Sequence, residues 1–314
     1  MLIGMRVGPQ SAWPRAVGAF AVPACLLVMM LLAPAGALAS TRLHPAVAAS
    51  EGEAARIARY WTPARMLTTP PLDEAGSPPL TALASFAHVT EPTILPNAVN
   101  GRLFVRQGKS RGFCSATAID SPSRQLVLTA GHCINTGPEP PNGHTVWSSF
   151  LEFVPAYSGG TAPFGAFIAY RKSVFAPKQW VDFGNPNFDV GALVTAPNAE
   201  GVNVADAVGG GAKIGLDLSR HQEFETFGYP GSSRWMQSCS SPYVGDDIIT
   251  YRIPGPPTLA VGCHWVPGAS GGGWLIEGGT TIDGLTSYGK GRDFHHTFGP
   301  YFSSRNVGSL TAGL

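Results

Sequence analysis

The chain has 314 residues, a net charge of +1 and only 13% charged side chains. So sparse and balanced a charge excludes a basic nucleic-acid face and an acidic tail, and electrostatics name no partner. The 39 glycines and 28 prolines, set among short runs of Val, Ile, Phe and Leu, favour strands joined by many turns over helices.

The N-terminus reads as an export signal. Arg6 and Arg15 precede the apolar run 17–33, and Ala37-Leu38-Ala39 offers a small-x-small cleavage site before Ser40. The run contains Pro23 and is shorter than the ~20 residues a membrane-spanning helix needs. The expectation is a secreted, extracellular protein with residues 1–39 as signal peptide and no stable membrane association after cleavage. Cys25 lies in this segment. The remaining Cys114, Cys133, Cys239 and Cys263 form an even set, which in an exported chain favours disulfides. Three pairings are open. Cys114 with Cys133 and Cys239 with Cys263 is the favoured one, because each pair then braces a segment bearing a candidate catalytic residue. No close cysteine pair or His-plus-Cys set has zinc spacing, so neither metal nor cofactor is expected.

Residues 40–95 are rich in Ala, Pro and Thr, with Thr68-Thr69-Pro70-Pro71-Leu72 and the turn-prone Gly76-Ser77-Pro78-Pro79, and read as a propeptide or flexible leader. A helix over 54–60 is too brief to stand alone. Strand patterns then follow at 101–105, 112–119, 125–129, 147–154, 165–170, 190–194, 223–228, 248–253, 273–276 and 281–287, separated by polar turns such as Asp120-Ser121-Pro122-Ser123. A βαβ alternation is missing, which removes most parallel-sheet folds, and the spacing suits an antiparallel barrel. The Ala- and Gly-rich stretch 196–211 divides the rest into 96–200 and 201–314, with a site in the cleft between the halves.

Three segments carry chemistry. Leu128-Thr129-Ala130-Gly131-His132-Cys133, Asn187-Phe188-Asp189-Val190 and Pro267-Gly268-Ala269-Ser270-Gly271-Gly272 provide a base, an orienting carboxylate and a hydroxyl, in that chain order. A serine hydroxyl is a weak nucleophile at neutral pH. It needs an imidazole to take its proton and a carboxylate to hold the imidazole's tautomer. Asp182 is the rival to Asp189, but only Asp189 is followed by an apolar strand. The phrase at 268–272 also satisfies the esterase pattern Gly-x-Ser-x-Gly, yet too few residues follow Ser270 for the strands and helices an α/β-hydrolase places after its serine.

These phrases resemble the trypsin-like serine proteases, and within them the bacterial V8-like, glutamyl-endopeptidase branch, over residues 97–301. The resemblance implies an all-β fold of two six-stranded antiparallel barrels, chymotrypsin-like, with the N-terminal barrel carrying His132 and Asp189 and the C-terminal barrel carrying Ser270. It implies a monomeric serine endopeptidase acting on protein or peptide substrates through an acyl-enzyme, with the N–H groups of Gly268 and Ser270 as oxyanion hole. A catalytically inactive protease-like binding protein, or an esterase using the same serine, are the alternatives. Ala269 stands where many animal members have the aspartate that pairs with a new N-terminus, so activation through that ion pair is excluded. Ser287-Tyr288-Gly289 is similar to the family's Ser-Trp-Gly substrate strand. By position, His264 and Trp265 line the primary pocket, with no aspartate there to select Lys or Arg. Thr286 occupies the place of the histidine that glutamyl members use, which argues against a Glu preference.

Overall fold

The computed structural model describes residues 51–73, 86–139, 142–231, 233–290, 293 and 295–314; the expected export signal with Cys25, and the 76–79 turn, lie outside these. In chain order the strands are β1 (Ala87–His88), β2 (Asn100–Gln107), β3 (Ser110–Ala118), β4 (Leu126–Thr129), β5 (Ser149–Pro155), β6 (Phe167–Phe175), β7 (Gly191–Thr195), β8 (Lys213–Ile214), β9 (Glu223–Gly228), β10 (Gln237–Asp246), β11 (Leu259–Val261), β12 (Gly273–Ile276), β13 (Thr281–Leu285) and β14 (Thr297–Gly299).

The first half closes as a six-stranded barrel in the order β2-β3-β4-β7-β6-β5. Its founding hairpin pairs Asn100 with Thr117 through to Gln107 with Ser110, and turns at Gly108, whose φ of 60° is costly for other residues. The second half is an eight-stranded sheet, β14-β11-β10-β9-β12-β13-β8, with β1 added on β10. Two of its members, β1 and β8, are two-residue strands, and β8 runs parallel to β13. The other six are antiparallel and correspond to the expected second barrel. Together the halves form the two-barrel, chymotrypsin-like fold.

One strand expectation is corrected. Residues 248–253 form a turn and a short 3-10 helix, Thr250–Arg252, with Ile248 75% exposed. Asp247 is responsible: its carboxylate accepts the Ile249 N–H at 2.8 Å, and its carbonyl accepts the Thr250 hydroxyl at 2.7 Å. These local bonds outcompete a ladder for the backbone. The strand of this region is β10, which starts earlier and whose Ser-Cys-Ser-Ser-Pro run hides its alternation.

Within the leader, helices α1 (Glu51–Tyr60) and α2 (Pro63–Leu67) lie on the first barrel, burying Ile57, Trp61 and Met66 in the same apolar cluster as Leu103 and Phe104. This packing supplies what a ten-residue helix lacks by itself. Phe86, by contrast, packs at a tilt against Trp265 of the second half, ring centroids 4.5 Å apart, and β1 follows onto β10. Both favoured disulfides form, Cys114–Cys133 and Cys239–Cys263, each with Cα atoms 6.2 Å apart. Loops of this length contribute about 3 kcal/mol each in the chain-entropy model.

Candidate active site

His132 sits one turn beyond β4, in the short helix α3 (Gly131–Ile134). Glycine is required at 131, since a Cβ there would lie 2.9 Å from both Asp189 Oδ1 and Trp180 Cδ1. Asp189 follows a 3-10 turn, Pro186–Phe188, capped by Asn185, whose side chain accepts from the Asn187 N–H at 3.0 Å. The Asp189 carboxylate accepts three bonds. One comes from the His132 backbone N–H and one from ring Nδ1, both at 2.8 Å, and the third from the Ser287 hydroxyl. With a carboxylate as partner, Nδ1 carries the proton in that bond. Asp182, the rival, lies on α4 (Lys178–Phe183) and pairs with Lys178.

Ser270 is 3% exposed and follows a turn that only glycine can make at 268. Gly268 has φ of 95°, and a Cβ there would meet Tyr229 O at 2.6 Å and Phe113 Cε2 at 2.7 Å. Ser115 of β3 fastens this turn to the first barrel. Its N–H donates to Ser270 O at 2.8 Å, and its hydroxyl donates to Gly268 O at 2.9 Å and accepts from the Tyr229 N–H at 3.0 Å. A Cβ at Gly271 would fall 2.1 Å from Thr129 Oγ1 and 2.8 Å from Ala130 N. The Ser270 turn is therefore packed directly on the β4 end that carries His132.

The Ser270 hydroxyl itself donates to Asp73, Oγ to Oδ2, at 2.7 Å, and the Gly268 N–H donates to the other oxygen of the same carboxylate at 2.9 Å. Nothing in the neighbourhood of Asp73 in the sequence announces this contact. Trp180, another residue the motifs do not reveal, places its ring 6.3 Å from the His132 imidazole and donates its indole N–H to Asn135 O at 2.8 Å.

Burial works against the charged form of His132, but Asp189, and more weakly Asp73, outweigh it and raise the ring to about 9. For Asp189, burial favours the neutral acid. The adjacent imidazole and the bonds from His132 and Ser287 more than offset this and hold the carboxyl below its usual range.

The residues expected to meet substrate are placed as follows. Trp265 is buried in the second half's core, its indole N–H donating to Thr226 Oγ1 at 2.9 Å. His264 beside it is partly buried, and desolvation lowers its pKa. Ser287 points at Asp189, giving it a supporting contact the sequence does not reveal. Tyr288 stacks on Phe298 at 5.4 Å and donates its hydroxyl to Asp247 at 2.8 Å. A Cβ at Gly289 would meet nothing within 4 Å, so this end of the segment faces open space. The Thr286 hydroxyl accepts the Trp274 indole N–H at 3.0 Å and is turned into the barrel.

Among solved structures, the chain is similar to the protease Anisep from Arthrobacter nicotinovorans, at 29% identity and a TM-score of 0.59 over 68% of this chain and 93% of that one. It is similar to a thermostable serine protease from an extremophilic microorganism, at 27% identity and TM-score 0.57 over 66% and 92% of the two chains. A Glu endopeptidase, at 17% identity and TM-score 0.57 over 73% and 96%, shares the fold. No family model matches the chain, and no curated protein matches it.

Proposed function

We propose that this chain is an exported serine endopeptidase that works through an acyl-enzyme, with residues 1–39 as its signal peptide, 40–95 as a leader, and the two barrels of 96–200 and 201–314 as the catalytic unit. The observation that carries the reading is the His132 Nδ1 to Asp189 Oδ2 bond of 2.8 Å, made on the β4 end against which the Ser270 turn is packed. The similarity to two bacterial proteases at 27–29% identity supports it.

In this reading Nε2 of His132 takes the Ser270 hydroxyl proton as Oγ bonds to the substrate carbonyl carbon. Charge develops on the carbonyl oxygen and is met by the N–H groups of Gly268 and Ser270, and a single donor of this kind is worth about 10² to 10³ in rate. The peptide C–N bond then breaks, the imidazolium protonates the departing amine, and water releases the acyl group by the reverse sequence. Asp189 fixes the ring and stabilises its cation without taking the proton.

Substrates are proteins or peptides, in extended form along Ser287-Tyr288-Gly289. The Thr286 hydroxyl, committed to Trp274, leaves no imidazole at the place where glutamyl members read a carboxylate, so a pocket selecting Glu is not expected.

The test is prolonged exposure of the purified protein to a phosphonofluoridate, before and after limited proteolysis of the leader, followed by peptide mapping. An adduct at Ser270, lost together with peptide hydrolysis in Ser270→Ala while the fold remains intact, is the expected result; removing a triad serine costs about 10⁶ in turnover. Labelling at another residue, or hydrolysis that survives in Ser270→Ala, overturns the assignment.

A further inference from the structure

The leader does more than lie on the barrel; its Asp73 occupies the site. Trp61 anchors it, with its ring 5.4 Å from Phe104 and its indole N–H bonded to Phe150 O, while Tyr60 packs at 5.0 Å on the Phe150 ring. The chain then meets β3 through an isolated bridge at Pro71. The Phe113 N–H donates to Pro70 O and the Leu72 N–H donates to Phe113 O, both at 3.0 Å, in a parallel bridge. Glycine at 112 leaves room for this, because a Cβ there would sit 2.5 Å from Leu72 Cα. One residue further, Asp73 delivers its two carboxylate oxygens to Gly268 N and Ser270 Oγ, at 2.9 and 2.7 Å.

Three chemical consequences follow from this placement. An anionic oxygen accepts from the Gly268 N–H, one of the two donors assigned to the developing oxyanion, and this is the charge such a donor favours. The single proton of the Ser270 hydroxyl is directed at Asp73 and so is turned from His132. The group facing Ser270 is a side-chain carboxylate, which offers no scissile peptide carbonyl. A backbone bridge to β3, two aromatic anchors and two charge-assisted bonds act together over 23 consecutive residues, Glu51 to Asp73.

We propose that residues 51–73 are a built-in inhibitor of this site, docked on the outer face of the first barrel, with the Asp73 carboxylate as a plug seated in the oxyanion hole. The inference rests on the reading of Ser270 as nucleophile, and it makes the leader a ligand of the folded enzyme. The raised His132 pKa agrees with it, since Asp73 contributes to holding that imidazole in the protonated form, which cannot act as a base.

The experiment compares the full chain with its Asp73→Ala variant by two readouts: the second-order rate of Ser270 labelling by a phosphonofluoridate, and hydrogen exchange in peptides containing the Phe113 and Gly268 amides. Labelling at least tenfold faster in the variant, with faster exchange at Gly268, is the expected result. Asp73→Asn, which keeps an acceptor oxygen but no charge, falls between. Equal labelling rates with equal exchange overturn the plug. If neither chain is labelled at Ser270 yet Gly268 loses protection in the variant, docking stands and the nucleophile reading falls. If neither chain is labelled at Ser270 and exchange is unchanged, both fall.

Discussion

On the His132 side every group comes from the two halves of the fold themselves: Asp189 collects the His132 ring, the His132 backbone and Ser287, and is 2% exposed. On the Ser270 side the turn is equally well braced, by Ser115, Thr129 and the approach of Tyr229, but its functional atoms are engaged by a residue 197 positions earlier in the chain. The proposed base is already oriented by its carboxylate, and the proposed nucleophile is occupied. On the proposed reading, the backbone of the active site is complete while the reacting hydroxyl stays capped. On that reading only the leader has to leave, and no strand needs to rebuild. The missing Asp at 269 fits this division, because the backbone of the Ser270 turn is already formed without a buried counter-charge for a new N-terminus.

The comparison can be broken most severely from the His132 side. Asp189→Asn keeps the shape of the acceptor but offers an N–H₂ to the ring, favouring the wrong tautomer. Turnover in leader-free enzyme is expected to fall about 10⁴-fold, whereas exchange protection at the Gly268 amide stays unchanged, since Asp73 does not depend on Asp189. A loss of protection there would mean the two sides are coupled more tightly than their hydrogen bonds suggest.

A smaller effect concerns the face the leader covers. Glu152 stands opposite Phe104 and Ile168 in register, on the face where Trp61 meets Phe104, and is 3% exposed. Burial alone raises its pKa to about 8. A carboxyl whose folded pKa is raised is neutral in the fold and ionises more readily once exposed. Stability is thus greatest below about pH 4.5 with respect to this group and declines as pH climbs from there to about 8. Glu152→Gln is expected to flatten that slope and to raise stability by ~2 kcal/mol at pH 8, measured as the urea midpoint at pH 5 and pH 8. A variant with the wild-type slope would remove Glu152 from the account.

The finest discrimination comes from pH dependence of Ser270 labelling. The attraction between Asp73 and the His132 imidazolium is fully present below the ring's ordinary pKa of 6.5 and is lost as pH rises through about 9. Docking of the leader therefore weakens across that window. Wild-type labelling should keep rising to about pH 9, while Asp73→Ala, with one carboxylate fewer beside the ring, should complete its rise at lower pH. Superimposable profiles would show that Asp73 does not influence the imidazole.

Much of the site was legible in the sequence because the motifs state their own local requirements. Gly131 is needed beside the base, Gly268 must take a positive φ, and each cysteine pair lies close to one of the segments it braces. Nine of the ten strand expectations coincide with observed strands for the same reason, that runs of apolar residues between turns carry their period with them. The exception, 248–253, failed where one carboxylate, Asp247, captured the backbone locally.

What the amino-acid order determined by itself was the all-β architecture, and it singled out His132, Asp189 and Ser270 as candidates, each flagged by neighbours within a few residues. Only the tertiary structure decided that Ser287 supports Asp189, that Trp180 flanks the imidazole, and that Asp73 reaches Ser270. The physical reason is that a backbone constraint leaves a local mark on composition, whereas a hydrogen bond closed across nearly two hundred residues asks of each partner only a polar atom, and Pro71-Leu72-Asp73 reads as any surface turn until the barrel face that receives it exists.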